Sequence, residues 1–151
     1  MKLLLFLAIA LTYSSGLYSQ TRDYAPELDF IYGAWSDTIH SDSGDGFFFS
    51  PDSCCRFITN GQMTACIIER QNIKVHFRVD YTVTPKQLDI IFLDLKTDSL
   101  RVLIPMIFEI IDTNHIKLAT NKTNSKERPV DFSQTDDKEI AFLTRSVKNK
   151  Q

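Results

Sequence analysis

Residues 73–83 read IKVHFRVDYTV, and this stretch decides the fold class of the chain. Apolar and polar side chains alternate along it, which is a period of two residues and not the 3.6 of a helix. Six apolar residues therefore lie on one side of the segment and five polar residues on the other. This pattern is typical of an antiparallel strand with one face in a core and the other in solvent.

Short segments of the same kind occupy most of the chain around this strand, separated by turn-forming residues. They lie at 34–39, 46–49, 54–59, 62–69, 87–94, 101–111, 115–120 and 139–145. Many short strands with tight connections are typical of a closed all-β domain. We predict a single antiparallel up-and-down β-barrel of about eight strands, preceded by a short helical turn at 24–31 with Pro26 near its start.

The first twenty residues have the organisation of a secretory signal peptide. Lys2 is followed by nine apolar residues at 3–11 and by small and polar residues at 12–20. Nine residues of helix span only about 14 Å, which is too short to cross a bilayer. We therefore expect cleavage near residue 20 and a single mature domain over 21–151. The expected location is secreted or periplasmic, and no integral membrane segment is expected.

The charge of the mature chain bears on its partners. The full chain has 17 basic and 19 acidic residues, and residues 1–20 contain one lysine and no acid, so the mature charge is 16 − 19 = −3. A nucleic-acid-binding surface needs a clustered basic face, and no such cluster stands out in the sequence. We expect no nucleic-acid partner.

Three cysteines in an exported chain predict one disulfide and one free thiol, with three free thiols as the alternative. Residues 60–61, Asn-Gly, are a strong hairpin signal. A two-residue turn there places Cys55 directly opposite Cys66. A three-residue turn with a glycine bulge pairs Cys54 with Cys66 instead. The favoured bridge is Cys55–Cys66, and the second connectivity stays open.

Residues that would indicate catalysis or metal binding are widely scattered. His40, His76 and His115 are far apart, and no His-x-His or Cys-x-x-Cys spacing occurs. No Gly-x-Ser-x-Gly nucleophile motif is present either. The sequence therefore predicts no enzyme, no cofactor and no metal site.

The strongest strand and its neighbours direct large apolar side chains to the barrel interior. The predicted ligand-binding residues are Val75, Phe77, Val79, Tyr81, Phe92 and Phe108. An eight-stranded barrel either fills its interior with such side chains or encloses one small ligand. We predict binding of a small hydrophobic molecule inside the barrel. The alternative is a packed structural or protein-interaction barrel without a ligand.

Several apolar residues fall on strand positions that should face outward. They are Ile91, Leu93, Leu103, Ile107, Ile111 and Leu143. The N-terminal segment or the long irregular stretch at 121–138 is expected to cover them. A homodimer contact or another protein partner is the alternative occupant of this face.

Residues 33–35, Gly-Ala-Trp, resemble the Gly-x-Trp signature of lipocalins and related calycins. From residue 77 onward the chain is similar to a small bacterial family of exported lipocalin-like domains. The motifs are YTVTPKQLDI at 81–90, FEI at 108–110, IKL at 116–118, RPVDFS at 128–133 and LTR at 143–145. The resemblance implies a barrel in which Arg145 lies against Trp35 as a structural pair. It implies no particular biochemical activity.

Overall fold

The structure, a computed structural model, describes residues 29–37, 44–122, 126–133 and 138–146. The predicted signal peptide at 1–20 and most of the predicted helical turn at 24–31 lie outside the described residues. Residues 29–31, the described end of that segment, form a turn in which the Tyr32 N–H donates to the Asp29 carbonyl oxygen over 3.0 Å.

The described chain is all-β apart from one short 3₁₀ turn, Glu69–Gln71. The strands are β1 (Gly33–Asp37), β2 (Gly46–Phe49), β3 (Cys55–Thr59), β4 (Gln62–Met63), β5 (Ile67–Ile68), β6 (Ile73–Asp80), β7 (Lys86–Asp94), β8 (Leu100–Ile110), β9 (His115–Asn121) and β10 (Lys138–Arg145). The predicted all-β class is confirmed. The count is ten and not about eight, in part because the predicted strand at 62–69 is divided into β4 and β5.

All ten strands belong to one antiparallel sheet that curls into a half-barrel. Its order is β4-β3-β2-β1-β10-β9-β8-β7-β6-β5. Each neighbouring pair is consecutive along the chain except β1 and β10, the first and last described strands. Their register places Trp35 opposite Arg145.

The two end regions of the sheet meet along a seam between β3 and β6. Cys54 forms an isolated antiparallel bridge with His76. Beside it, the Phe77 N–H donates to the Ser53 carbonyl oxygen over 3.0 Å. The curl of the sheet thus brings residues far apart in strand order into direct backbone contact.

The hairpin between β3 and β4 forms as its sequence predicts. Residues 60–61 both have positive φ, at 50° and 71°, which is the geometry of a type I′ turn. The register pairs Ile58 with Met63, as a two-residue turn requires. The Thr64 N–H still donates to the Phe57 carbonyl oxygen, but beyond Thr64 the chain leaves β3.

This departure makes the favoured Cys55–Cys66 bridge wrong and the alternative connectivity, Cys54–Cys66, correct, although the glycine-bulge turn that the alternative assumed does not form. Cys66 leaves the hairpin and lies beside β6, where its carbonyl oxygen accepts from the Val75 N–H over 2.9 Å. Cys66 there forms a disulfide with Cys54, with the Cα atoms 5.8 Å apart. Cys55 is a free, fully buried thiol, and burial raises its pKa to about 12. The disulfide therefore cross-links the two sides of the seam and does not cross-link the two strands of the hairpin.

A buried carboxylate on the outer face of the sheet anchors the segment 126–133. Asp89 is 3% exposed, and its two carboxylate oxygens accept from Arg128 over 2.5 Å and from Arg78 over 2.6 Å. Arg128 also donates to the Met106 carbonyl oxygen over 2.5 Å. One arginine thus ties an irregular segment to two strands of the sheet.

The outer-face residues behave in different ways. Ile107, on the outer face of β8, is fully buried in the region that Arg128 spans, which agrees with cover by the irregular stretch. The assignment of Leu143 to the outer face is wrong, because its register with Ile116 turns it into the core. Ile111 is exposed. Ile91, Leu93 and Leu103 are half-buried.

We predict that thiol counting will locate the disulfide. Denatured, unreduced protein should contain one reactive thiol, and the Cys55→Ala variant should contain none. The Cys54→Ala variant should contain two. Cys66→Ala should lower the free energy of unfolding by about 3 kcal/mol, because a loop of this size loses its cross-link. Two reactive thiols in Cys55→Ala would contradict the seam assignment.

The two arginines at Asp89 should differ in their effect on stability. Arg128→Gln should lower the free energy of unfolding by about 3 kcal/mol, because it removes one partner of a buried carboxylate. Arg78 has a side chain that is 71% exposed, so Arg78→Gln should cost about 1 kcal/mol or less. Urea denaturation of both variants measures the difference. Equal losses would show that Arg128 does not anchor the segment.

Candidate functional site

One end of the half-barrel is closed by Trp35 on β1. The indole is fully buried, and its Nε1–H donates to the Ile31 carbonyl oxygen over 2.7 Å. The Arg145 guanidinium lies 4.4 Å from the centroid of the same ring, within cation–π distance. The two residues expected to form a structural pair are therefore in contact.

Arg145 also binds the backbone that crosses this end. It donates to the carbonyl oxygens of Tyr32 over 2.9 Å, Phe30 over 2.5 Å and Thr113 over 3.2 Å. Burial lowers the pKa of the guanidinium. Gly33 has φ of 118°, a conformation that side-chain-bearing residues rarely adopt, and this lets the chain turn from the crossing segment into β1.

All six predicted ligand-binding residues belong to the packed core. Val75, Phe77 and Phe108 are buried within it, and Val79, Tyr81 and Phe92 are partly buried against it. Aromatic rings also meet across the seam on the concave side. The ring centroids of Phe49 and Phe77 are 4.8 Å apart, and those of Phe57 and Phe92 are 5.9 Å apart. These rings occupy space that an interior ligand would need.

A cleft in the described part of the chain lies at the Trp35 end, and we call it the end cleft. Its volume is about 970 Å³ and it opens to solvent. Its apolar walls are formed by Phe30, Pro85, Phe108, Ile110 and Phe132. Of the six predicted ligand-binding residues, only Phe108 lines it.

Two of the charged groups in the end cleft already have partners. Arg145 is bound to three carbonyl oxygens, as described above. The Asp112 carboxylate accepts from the Asn114 N–H over 2.7 Å and lies 2.8 Å from the His115 Nδ1 atom. These hydrogen bonds lower the pKa of Asp112. Neither group is therefore free to be the main contact of a ligand.

Tyr81 supports the same end from β6's side. Its hydroxyl oxygen accepts from the Ile31 N–H over 3.2 Å, and its ring meets that of Phe108 edge-on at 5.8 Å. Burial raises the pKa of Tyr81 to about 12, so the phenol stays neutral at physiological pH. Tyr81, one of the predicted ligand-binding residues, thus contacts the crossing segment.

The sequence did not indicate the end cleft, because each of its residues has an ordinary local context. Pro85 and Lys86 read as a turn and a strand start, and Phe132 belongs to an irregular stretch. The cleft forms only where five separate segments of the chain meet. Among the described residues, no group of three or more His, Cys, Asp or Glu is arranged to hold a metal ion. The described residues also include no helix long and apolar enough to cross a membrane.

The fold and the end cleft define an all-β half-barrel protein with an open, largely apolar cleft beside a buried Trp–Arg pair. Comparisons with protein-family models, with curated proteins and with solved structures find no match to this chain.

We predict that closure of this end requires the indole. Trp35→Ala should lower the free energy of unfolding by about 3–5 kcal/mol, because it removes a large buried aromatic side chain and the support of Arg145. Trp35→Phe should cost clearly less, since it keeps a ring beneath the guanidinium. Urea denaturation measures both variants. An unchanged midpoint in Trp35→Ala would refute the closing role of this pair.

Proposed function

We propose that the protein is an exported, lipocalin-like binding protein that takes a small hydrophobic molecule into the end cleft. The observation that carries the proposal is the cleft itself. Its volume of about 970 Å³ and its five apolar wall residues suit a small ligand. Small-molecule sites are mostly apolar clefts of roughly 300–1,000 Å³.

Other features support the two further parts of this proposal, which are export and a lipocalin-like fold. The organisation of residues 1–20 supports export to the periplasm or the exterior. The contact of Arg145 with Trp35 and the pairing of β1 with β10 support a lipocalin-like build. The absence of catalytic motifs from the sequence supports binding over catalysis and calls for no cofactor.

The position of the ligand differs from the interior site that the sequence favours. Packing of Phe57 against Phe92 and of Phe49 against Phe77 fills the concave side, so a guest there would have to separate these rings. The end cleft receives a ligand without any such displacement. We therefore place the ligand beside Phe30 and Ile110.

Titration with the neutral apolar dye Nile red tests this proposal. The purified protein should bind the dye saturably, with an increase in its fluorescence. Thr113→Trp adds a large side chain to the lining of the end cleft and should weaken binding by about tenfold or more, equivalent to about 1.4 kcal/mol. Thr97→Trp is the matched control, because Thr97 is an exposed turn residue between β7 and β8.

Three outcomes are informative. Loss of affinity in Thr113→Trp alone supports the end cleft. Equal affinity in both variants and the unmodified protein would place the dye elsewhere and contradict the proposal. An absence of saturable binding would contradict a ligand-binding function altogether.

A packed protein-interaction domain is the second candidate, favoured by a row on the outer face in which three of the four residues are apolar. The register aligns Ile67, Lys74, Leu93 and Leu100 across β5 to β8. Ile67 is 49% exposed and Leu100 is 58% exposed. For this candidate, light scattering should detect a dimer that Leu100→Glu dissociates, and Nile red should not bind.

A further inference from the structure

Lys86, at the start of β7, lies in the end cleft on the concave side of the sheet. Its register partner on β8 is Phe108, which is fully buried, and the next concave residue on its own strand is the fully buried Leu88. Lys86 itself is half-buried and lines the cleft. Its position therefore directs a lysine toward the same space as the apolar walls.

No carboxylate of the described residues forms an ion pair with Lys86. The lysines Lys74 and Lys138 pair with Asp98 and Asp131, respectively, whereas Lys86 has no such partner. Half-buried lysines usually pack the carbon stem and extend the ammonium into water. Because Lys86 lines the end cleft, its ammonium extends into the solvent of the cleft. A molecule bound there would therefore contact this cation.

The acidic residues of the end cleft do not cancel the lysine. The Asp112 carboxylate is engaged by His115 and by the Asn114 N–H. Glu109 also lines the cleft, but it is an exposed residue whose position in β8 belongs to the opposite face, where its register partner is Lys117. Asp29 is the remaining acid, and it lines the cleft without an ion pair to Lys86.

We propose that Lys86 makes the end cleft selective for amphipathic carboxylates. The carboxylate of an alkyl or aryl acid would accept hydrogen bonds from the Lys86 ammonium. Its apolar body would lie against Phe30, Pro85 and Ile110. Charge-assisted hydrogen bonds of this kind are about twice as strong as neutral ones, which gives the cation a measurable effect on affinity. This inference rests on the proposed binding function and specifies its ligand class.

Competition between two matched ligands tests the selectivity. Decanoate and 1-decanol have the same carbon chain and differ in charge, and each is titrated against bound Nile red at pH 7.5. Lys86→Gln should weaken decanoate by about tenfold and leave decanol unchanged. Lys96→Gln, which alters an exposed lysine in the turn between β7 and β8, is the control and should change neither.

A second variant should change the affinity for decanoate in the opposite direction. Asp29→Asn removes one of the three acids that line the cleft and should strengthen decanoate binding while leaving decanol unchanged. Both effects should shrink as salt is raised toward about 1 M, where the screening length falls to about 3 Å. A merely structural role of Lys86 would change the two ligands equally.

The outcomes separate this inference from the proposed function. If decanol displaces the dye and Lys86→Gln changes the two ligands equally, or changes neither, the carboxylate assignment is wrong while the apolar cleft stands. If neither ligand displaces the dye from the unmodified protein, both proposals are wrong. A selective loss of decanoate in Lys86→Gln alone supports the assignment.

Discussion

The contact of Arg145 with Trp35 is the interaction on which the arrangement of this end of the half-barrel depends. The guanidinium stacks on a buried ring and at the same time binds the carbonyl oxygens of Phe30 and Tyr32. It therefore connects the last described strand, the first strand and the backbone that crosses the end of the sheet. Because Phe30 is also a wall of the end cleft, the residue that closes the half-barrel determines the shape of the cleft.

The seam is the second constraint, and it explains why the concave side is filled. The Cys54–Cys66 disulfide and the backbone pairing of Cys54 with His76 hold the two end regions of the sheet together. Aromatic rings from β2 and β3 then contact rings from β6 and β7 on the concave side. A sheet closed in this way has its apolar cleft at the end and not along its axis, which places the candidate ligand site beside the crossing segment.

Local features were predictable from the sequence, whereas contacts between distant segments were not, apart from that of Trp35 with Arg145, which the resemblance implied. The alternation at 73–83 predicts β6, and residues 60–61 predict the hairpin, because each signal depends only on adjacent residues. Cys66 pairs as it does because the chain leaves β3 after Thr64, and no residue of that segment predicts this departure. Similarly, the outward assignment of Leu143 failed because strand faces alternate, so a one-residue error reverses the direction of a side chain.

The end cleft shows the same limit for function. Phe30, Lys86, Ile110 and Phe132 are more than a hundred residues apart at their extremes, and each has an unremarkable local context. The resemblance to lipocalins implied the contact of Trp35 with Arg145, whereas the expectation of an interior ligand came from the apolar lining of a barrel and assumed that the barrel was unfilled. The six side chains that were predicted to contact the ligand pack within the core or against it.

The most direct test of this account is the position of a bound apolar ligand, measured by intermolecular nuclear Overhauser effects with decanol on isotope-labelled protein. The account predicts contacts from the alkyl protons to Pro85 and Ile110 in the end cleft. Contacts to Phe57 and Phe92 instead would show that the aromatic rings open to admit a ligand to the interior, and would contradict it.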